Sequence, residues 1–192
     1  RIRAMRYEFS TDKYKAEDIT VLAEHLFDGS ERIGEVDQGQ RYVLDWAYQQ
    51  QRDGLVWCVL SDGTLAVMTY NRERGVLAWA PHILGGDAVV ESVRSIPSPD
   101  GTSDDVWFAV KRTVNGATQR TIEYLTDYRL VKLGAAEAVH VDCSVTYRGT
   151  ATATITGLTH LEGQTVQICA DGAAQAERVV GDGQVTLDRP AS

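Results

Sequence analysis

His140, Asp142 and Ser144 occupy alternate positions in one stretch, and by residue type they are the members of a hydrolytic trio. A working triad brings its members together from separate elements, with the base touching the nucleophile. Alternate residues of one strand only stand side by side, so a solvated strand face is the plainer reading. Cys169 with His160 and Asp171 suggests a thiol nucleophile. A reactive thiol needs a helix N-terminus or a cluster of cations to lower its pKa, and the surrounding sequence offers neither. Cys169 is therefore expected to be a buried bystander.

The remaining chemistry-bearing residues are equally plain. His25, His82, His140 and His160 show no H-x-x-x-H spacing and no paired carboxylates, which leaves no pattern for a transition metal. Asp100, Asp104 and Asp105 lie in the polar loop 97–105, PSPDGTSDD, and three carboxylates suit calcium. The alternating acidic ladder of a calcium loop is missing, and Ser98, Pro99, Asp100 and Gly101 form a turn signal, so a solvated turn is expected. Gly134 lacks the lysine and spacing of a phosphate loop. Trp57, Trp79 and Trp107 offer stacking surfaces for sugars or bases, but aromatic residues inside apolar strand runs serve more often as core. The expected catalytic, cofactor-binding and metal-binding sets are empty, and the chain is expected to be no enzyme and to need no cofactor.

Composition excludes further classes. The 192 residues carry 27 acidic and 19 basic side chains, a net charge of −8, which is not the basic stripe of a phosphate-neutralising surface. An acidic wall does let nucleic acid slide past without sticking. Cys58, Cys143 and Cys169 are odd in number and widely spaced, so three reduced thiols are expected. No apolar run reaches the roughly 20 residues of a membrane span, and RIRAMRYEF lacks the apolar stretch of a secretory signal. Both ends are expected to be cuts in a longer polypeptide.

These residues ride on elements that can be anticipated. Residues 7–9 suit a short strand. Ile19, Leu22, Ala23 and Leu26 recur at helical spacing, which predicts a helix over 16–27, with Asp18 near its start, a stop at Asp28-Gly29-Ser30 and an apolar stripe docked on a sheet. Residues 42–51 alternate as a strand through Tyr42, Leu44 and Trp46. Strands follow at 55–60, 64–70, 76–82, 88–96, 106–113 and 117–125, separated by Gly, Pro, Asp or Asn clusters; Ser61-Asp62-Gly63 joins the first two. Val56-Trp57 recurs as Val106-Trp107, a period near that of a propeller blade. After Leu133-Gly134 tryptophan disappears, and five short strands with Asp-Gly hairpins are expected, the first near residues 141–147. The fold class is thus mainly β: propeller-like antiparallel meanders with one short helix over residues 1–133, and a small β-barrel or sandwich over 134–192.

Four segments in order, DITVLAEHLF (18–27), VWCVLSDGTLAVMTYNRERGVLAW (56–79), AVVESVRSIP (88–97) and DVWFAVKRTVNGATQRTIEYL (105–125), resemble the body of bacteriophage tail proteins. The set they resemble is the tail tubular or nozzle proteins of short-tailed phages and their prophage relatives. ITGLTHLEGQTVQICADG (155–172) resembles the small β-domain likened to the first catalytic cysteine half-domain of ubiquitin-activating enzymes, a likeness of fold only. The resemblance covers most of residues 16–190, although the chain is too short for a whole propeller. It implies a structural virion component in the tail, cytoplasmic in the bacterial host before assembly. Its partners would be other phage tail subunits, with a homo-oligomeric ring around passing DNA and no membrane span. The alternatives are a carbohydrate-binding module, which predicts solvent-exposed tryptophans, and a propeller-type glycoside hydrolase acting on host surface glycans, which needs two carboxylates about 5 to 10 Å apart.

Overall fold

The computed structural model describes residues 1–27, 41–51, 54–71, 73–126, 141 and 144–192. The stop expected at residues 28–30, the domain boundary at 134, and Gly134, His140, Asp142 and Cys143 lie outside the described residues. The protein is mainly β, built of several antiparallel sheets, none of which closes into a barrel among the described residues. It divides into a first unit of residues 1–111 and 121–126 and a second of residues 112–120 and 127–192.

In the first unit, β3 (Val43–Gln49), β4 (Leu55–Leu60), β5 (Leu65–Asn71) and β6 (Val76–His82) form a four-stranded meander in chain order. A second sheet follows from β7 (Val89–Pro97), β8 (Asp104–Val114) and β9 (Ala117–Tyr124). The strands expected between residues 42 and 125 therefore form, within a residue or two of their anticipated ends. Turn chemistry accounts for this: Gly63 and Gly75 take φ of 82° and 64°, and the Asn115-Gly116 turn between β8 and β9 takes 49° and 72°.

Strand β4 is apolar at every position because both faces of its sheet are covered. Trp57 and Val59, joined by Ala47 and Leu65, pack on Val90, Val93, Val106, Phe108 and Val110 of the second sheet. Cys58, Leu60 and Ala66 point the other way, onto Ala23, Leu26 and Phe27. Val59, Val93 and Val110 are fully excluded from solvent, and burial of each such side chain stabilises the fold by about 1.5–3 kcal/mol. A strand buried on both sides loses the period-two alternation that marks a half-exposed one.

Asp45 ties the first strand of one sheet to the first strand of the other. Its Oδ2 accepts from the Val93 N–H at 3.2 Å and from Arg94 Nη1 at 2.6 Å, and its Oδ1 accepts from the Trp46 N–H at 2.9 Å. Partial burial pushes this carboxyl up, but the three hydrogen bonds outweigh that and hold it below its ordinary 3.8. A depressed carboxylate contributes stability that is present above its unfolded pKa and lost as pH falls through the folded one. Acid titration followed by tryptophan fluorescence should therefore show the wild type losing stability below about pH 4. Asp45→Asn, already lacking the charge, should lose less over the same interval; equal losses would remove this group from the acid response.

The helix expected over 16–27 is corrected to a single turn, α1 (Glu24–Phe27). Residues 16–18 instead complete β2 (Lys13–Asp18), paired antiparallel with β1 (Arg3–Glu8). Cross-strand pairing wins there, and Asp18 ends the strand: its Oδ1 accepts from the Thr20 N–H at 2.9 Å and the Thr20 hydroxyl at 2.7 Å, a local turn that competes with helix. Leu22, counted in the helical stripe, is 91% exposed. The stripe's other end docks as expected, with Phe27 edge-on to Trp79 at 5.3 Å.

The second unit holds two ribbons, β10 (Thr152–Thr156) with β13 (Gln184–Ala191), and β11 (Thr165–Ala170) with β12 (Ala173–Val179). Leu158, Val180 and Val185, flanked by Ile155, Val166 and Ile168, form a core between them, a sandwich-like solution. The Asp171-Gly172 turn has φ of 50° and 76°, as the sequence requires for a tight hairpin. Glu162 accepts from the Asp182 and Gly183 N–H groups at 3.0 and 2.8 Å and so pins the second Asp-Gly turn. The strand expected at 141–147 does not form over residues 144–147: Val145 and Tyr147 are exposed, and no ladder partner for them occurs among the described residues. Alternation without a pairing strand is insufficient.

Candidate functional site: a cleft beside an exposed aromatic edge

Among the described residues, those singled out for chemistry form no cluster of three His, Cys, Asp or Glu side chains. Ser144 is exposed, and the other two members of its trio are outside the described residues. Cys169 is exposed on β11, which corrects the buried reading: Val166 and Ile168 turn towards the core, and period two puts Cys169 on the other face. His160 sits on a single 3-10 turn, Thr159–Leu161, and Asp171 takes a hydrogen bond from the Ser192 N–H at 3.3 Å. Asp100 is bonded within its own turn, to the Thr102 N–H at 2.9 Å and the Thr102 hydroxyl at 2.7 Å, while Asp104 accepts from the Gln51 N–H at 2.7 Å. Among the described residues, no three His, Cys, Asp or Glu side chains come together as a metal site.

Cysteine chemistry follows from burial. Cys58 is enclosed between sheet and α1, and desolvation pushes its thiol up to about 11. With Cys143 replaced by Ser, a disulfide reagent at pH 8 should label Cys169 promptly and Cys58 only as fast as the fold opens. Two prompt equivalents would place Cys58 in solvent.

The tryptophans separate into three kinds. Trp57 is core, 3% exposed. Trp79 and Trp107 are half-buried: Trp79 donates to the Ile19 carbonyl at 2.7 Å, and Trp107 leans on Tyr124 at 5.1 Å. Trp46, which sequence reasoning used only to assign a strand, is 62% exposed and shares the edge strand β3 with Leu44 and Tyr48, also exposed. Its alternation was visible in the sequence. Which parity faces water was not, because both parities of β3 carry apolar residues.

This aromatic edge runs into a cleft of about 400 Å³ lined by Arg1, Ile2, Thr20, Glu24, Phe27, Arg41, Tyr42 and Val43. The charges in it are paired: Arg1 lies 3.5 Å from Glu24 and 3.8 Å from Asp18, and Arg41 lies 3.0 Å from Asp62. Among the described residues, Glu24 is the one carboxylate of the lining. An aromatic strip beside hydrogen-bonding groups can hold a ligand by stacking.

Stacked antiparallel meanders covered on one side by a helical turn define the first unit, and a small two-ribbon sandwich defines the second. No family model matches the chain, and no curated protein sequence matches it.

Proposed function

We propose that this chain is a structural component of a bacteriophage tail, forming subunit contacts around the DNA conduit, with its function in assembly rather than turnover. The observation that carries the proposal is the packing of consecutive meanders. Two sheets follow one another in the chain, stack face to face on one apolar core, and set their first strands side by side through Asp45 and Arg94. Successive propeller blades are arranged in this way, and it is the architecture that the tail-protein resemblance implies. The net charge of −8 suits a conduit wall that must release DNA. Antibodies raised against the chain should decorate tails in electron micrographs of particles induced from the source strain. Undecorated tails, with the antigen left in the particle-free lysate, would contradict the proposal.

A second reading, a carbohydrate-binding module on host surface glycans, is favoured by one observation, the exposed strip Tyr42, Trp46 and Tyr48. It predicts a saturable shift of tryptophan fluorescence on glycan titration that disappears in Trp46→Ala. A flat titration across acidic and neutral glycans removes it.

A further inference from the structure

The chain has two asparagines, Asn71 and Asn115, and only Asn115 is followed by glycine. Asn115 and Gly116 are the two loop residues between β8 and β9, with φ of 49° and 72°, the left-handed pair that a two-residue hairpin turn demands. Both are exposed, and a Cβ added at Gly116 would meet nothing within 4 Å. Gly116 thus carries no side chain and has open space beside it, so its main-chain nitrogen is sterically accessible to the Asn115 carboxamide next door. Asn71 is built differently. Its Oδ1 accepts from the Arg74 N–H at 3.0 Å, which fixes the carboxamide, and the residue that follows it in sequence is an arginine.

The Asn115-Gly116 turn also sets the register of the strands behind it. The Leu125 N–H donates to the Val106 carbonyl at 2.9 Å, and Tyr124 leans on Trp107 at 5.1 Å. Both pairings are those dictated by a two-residue loop closed between Val114 and Ala117, so one register runs from the turn to the far end of β8 and β9.

We propose that Asn115 is a site of spontaneous covalent modification, deamidation through a cyclic imide, and that the product breaks this register. Asparagine is a thermolabile residue, and the chemistry needs only its own chain and water. The Gly116 nitrogen attacks Asn115 Cγ, the new C–N bond closes a five-membered succinimide, and the side-chain nitrogen leaves as ammonia with the Gly116 N–H proton. Water then opens one of the two C–N bonds of the ring. Cleavage of the new bond gives aspartate; cleavage of the original peptide bond gives isoaspartate, whose main chain runs through Cβ and Cγ. Either product adds one negative charge to the −8 of the chain. Isoaspartate also adds one carbon to the main chain, which a two-residue loop with this φ pair cannot absorb without shifting the strands it joins. The inference goes beyond the assembly role and does not depend on it.

The test incubates the folded 192-residue chain at pH 8 beside a synthetic peptide of residues 111–120. Conversion at Asn115 is read by mass spectrometry and by methylation with an isoaspartyl methyltransferase. The turn sits at a hairpin tip, where local opening costs little, so Asn115 should convert no more than roughly tenfold more slowly than the peptide. Asn71 should remain an amide over the same period. Asn115→Gln, which would have to close a six-membered ring, should give no methylated product at this position. The isoaspartate form, separated by ion exchange, should exchange its β9 amide hydrogens at least about tenfold faster than the unmodified chain. Conversion more than roughly a hundredfold slower than in the peptide would mean that the turn reacts only when the chain unfolds, and overturns the inference. An isoaspartate form whose β9 amides stay as protected as before overturns it as well.

Discussion

Gly63→Ala should destabilise the first unit by about 3 kcal/mol, read as a drop in the urea midpoint followed by tryptophan fluorescence. Two costs combine. The residue sits at φ 82°, where a side chain is strained, and the added Cβ would lie 2.4 Å from Val89 Cγ1 and 3.1 Å from the Val89 backbone. The neighbour cannot step aside easily, because the Gly63 carbonyl accepts from the Val90 N–H at 2.9 Å and so holds the start of β7 against the β4–β5 turn. Gly75→Ala is the control: its φ is 64°, but nothing lies within 4 Å of the added carbon. It should lose only the backbone part, about 1 kcal/mol. Equal losses at the two sites would mean that the turn does not clamp the second sheet.

Trp57→Ala should cost about 3–5 kcal/mol, because an enclosed indole is replaced by a cavity in the seam between two sheets. Trp57 is edge-on to Phe108 at 5.6 Å and to His82 at 5.7 Å, and it donates from Nε1 to Gln49 Oε1 at 3.1 Å. Gln49 in turn donates from Nε2 to the Asp104 carbonyl at 2.9 Å, at the start of β8. The change therefore removes apolar contact and unpartners one end of a bridge between the sheets. Trp57→Phe keeps most of the burial and should lose about 1–2 kcal/mol. A Trp57→Ala loss below about 1 kcal/mol would mean that the two sheets do not share one core.

What was legible in the sequence was what local chemistry decides. The strands between residues 55 and 125 follow from runs of Val, Leu, Trp and Tyr cut by residues that tolerate positive φ, and those cuts fall where Gly63, Gly75 and Gly116 bend the chain. The helix over 16–27 failed because its spacing competed with partners far away in sequence: Ala16 and Glu17 pair with Met5 and Ala4. Strand pairing at that separation is invisible to an eleven-residue window. Cys169 was misplaced although parity with Val166 and Ile168 was available to place it. The exposed β3 edge was missed for a different reason. Leu44, Trp46 and Tyr48 carry the residue types of a core strand, and only the assembled sheet reveals which side is left uncovered.

Packing of the two meanders on one apolar core is the structural observation on which the proposed role depends. Cryo-electron microscopy of the protein tests the role most directly. The account predicts rings with a central bore, in which β-meanders stack around the channel. Dispersed single particles without a bore, at concentrations where the protein is fully folded, would contradict it.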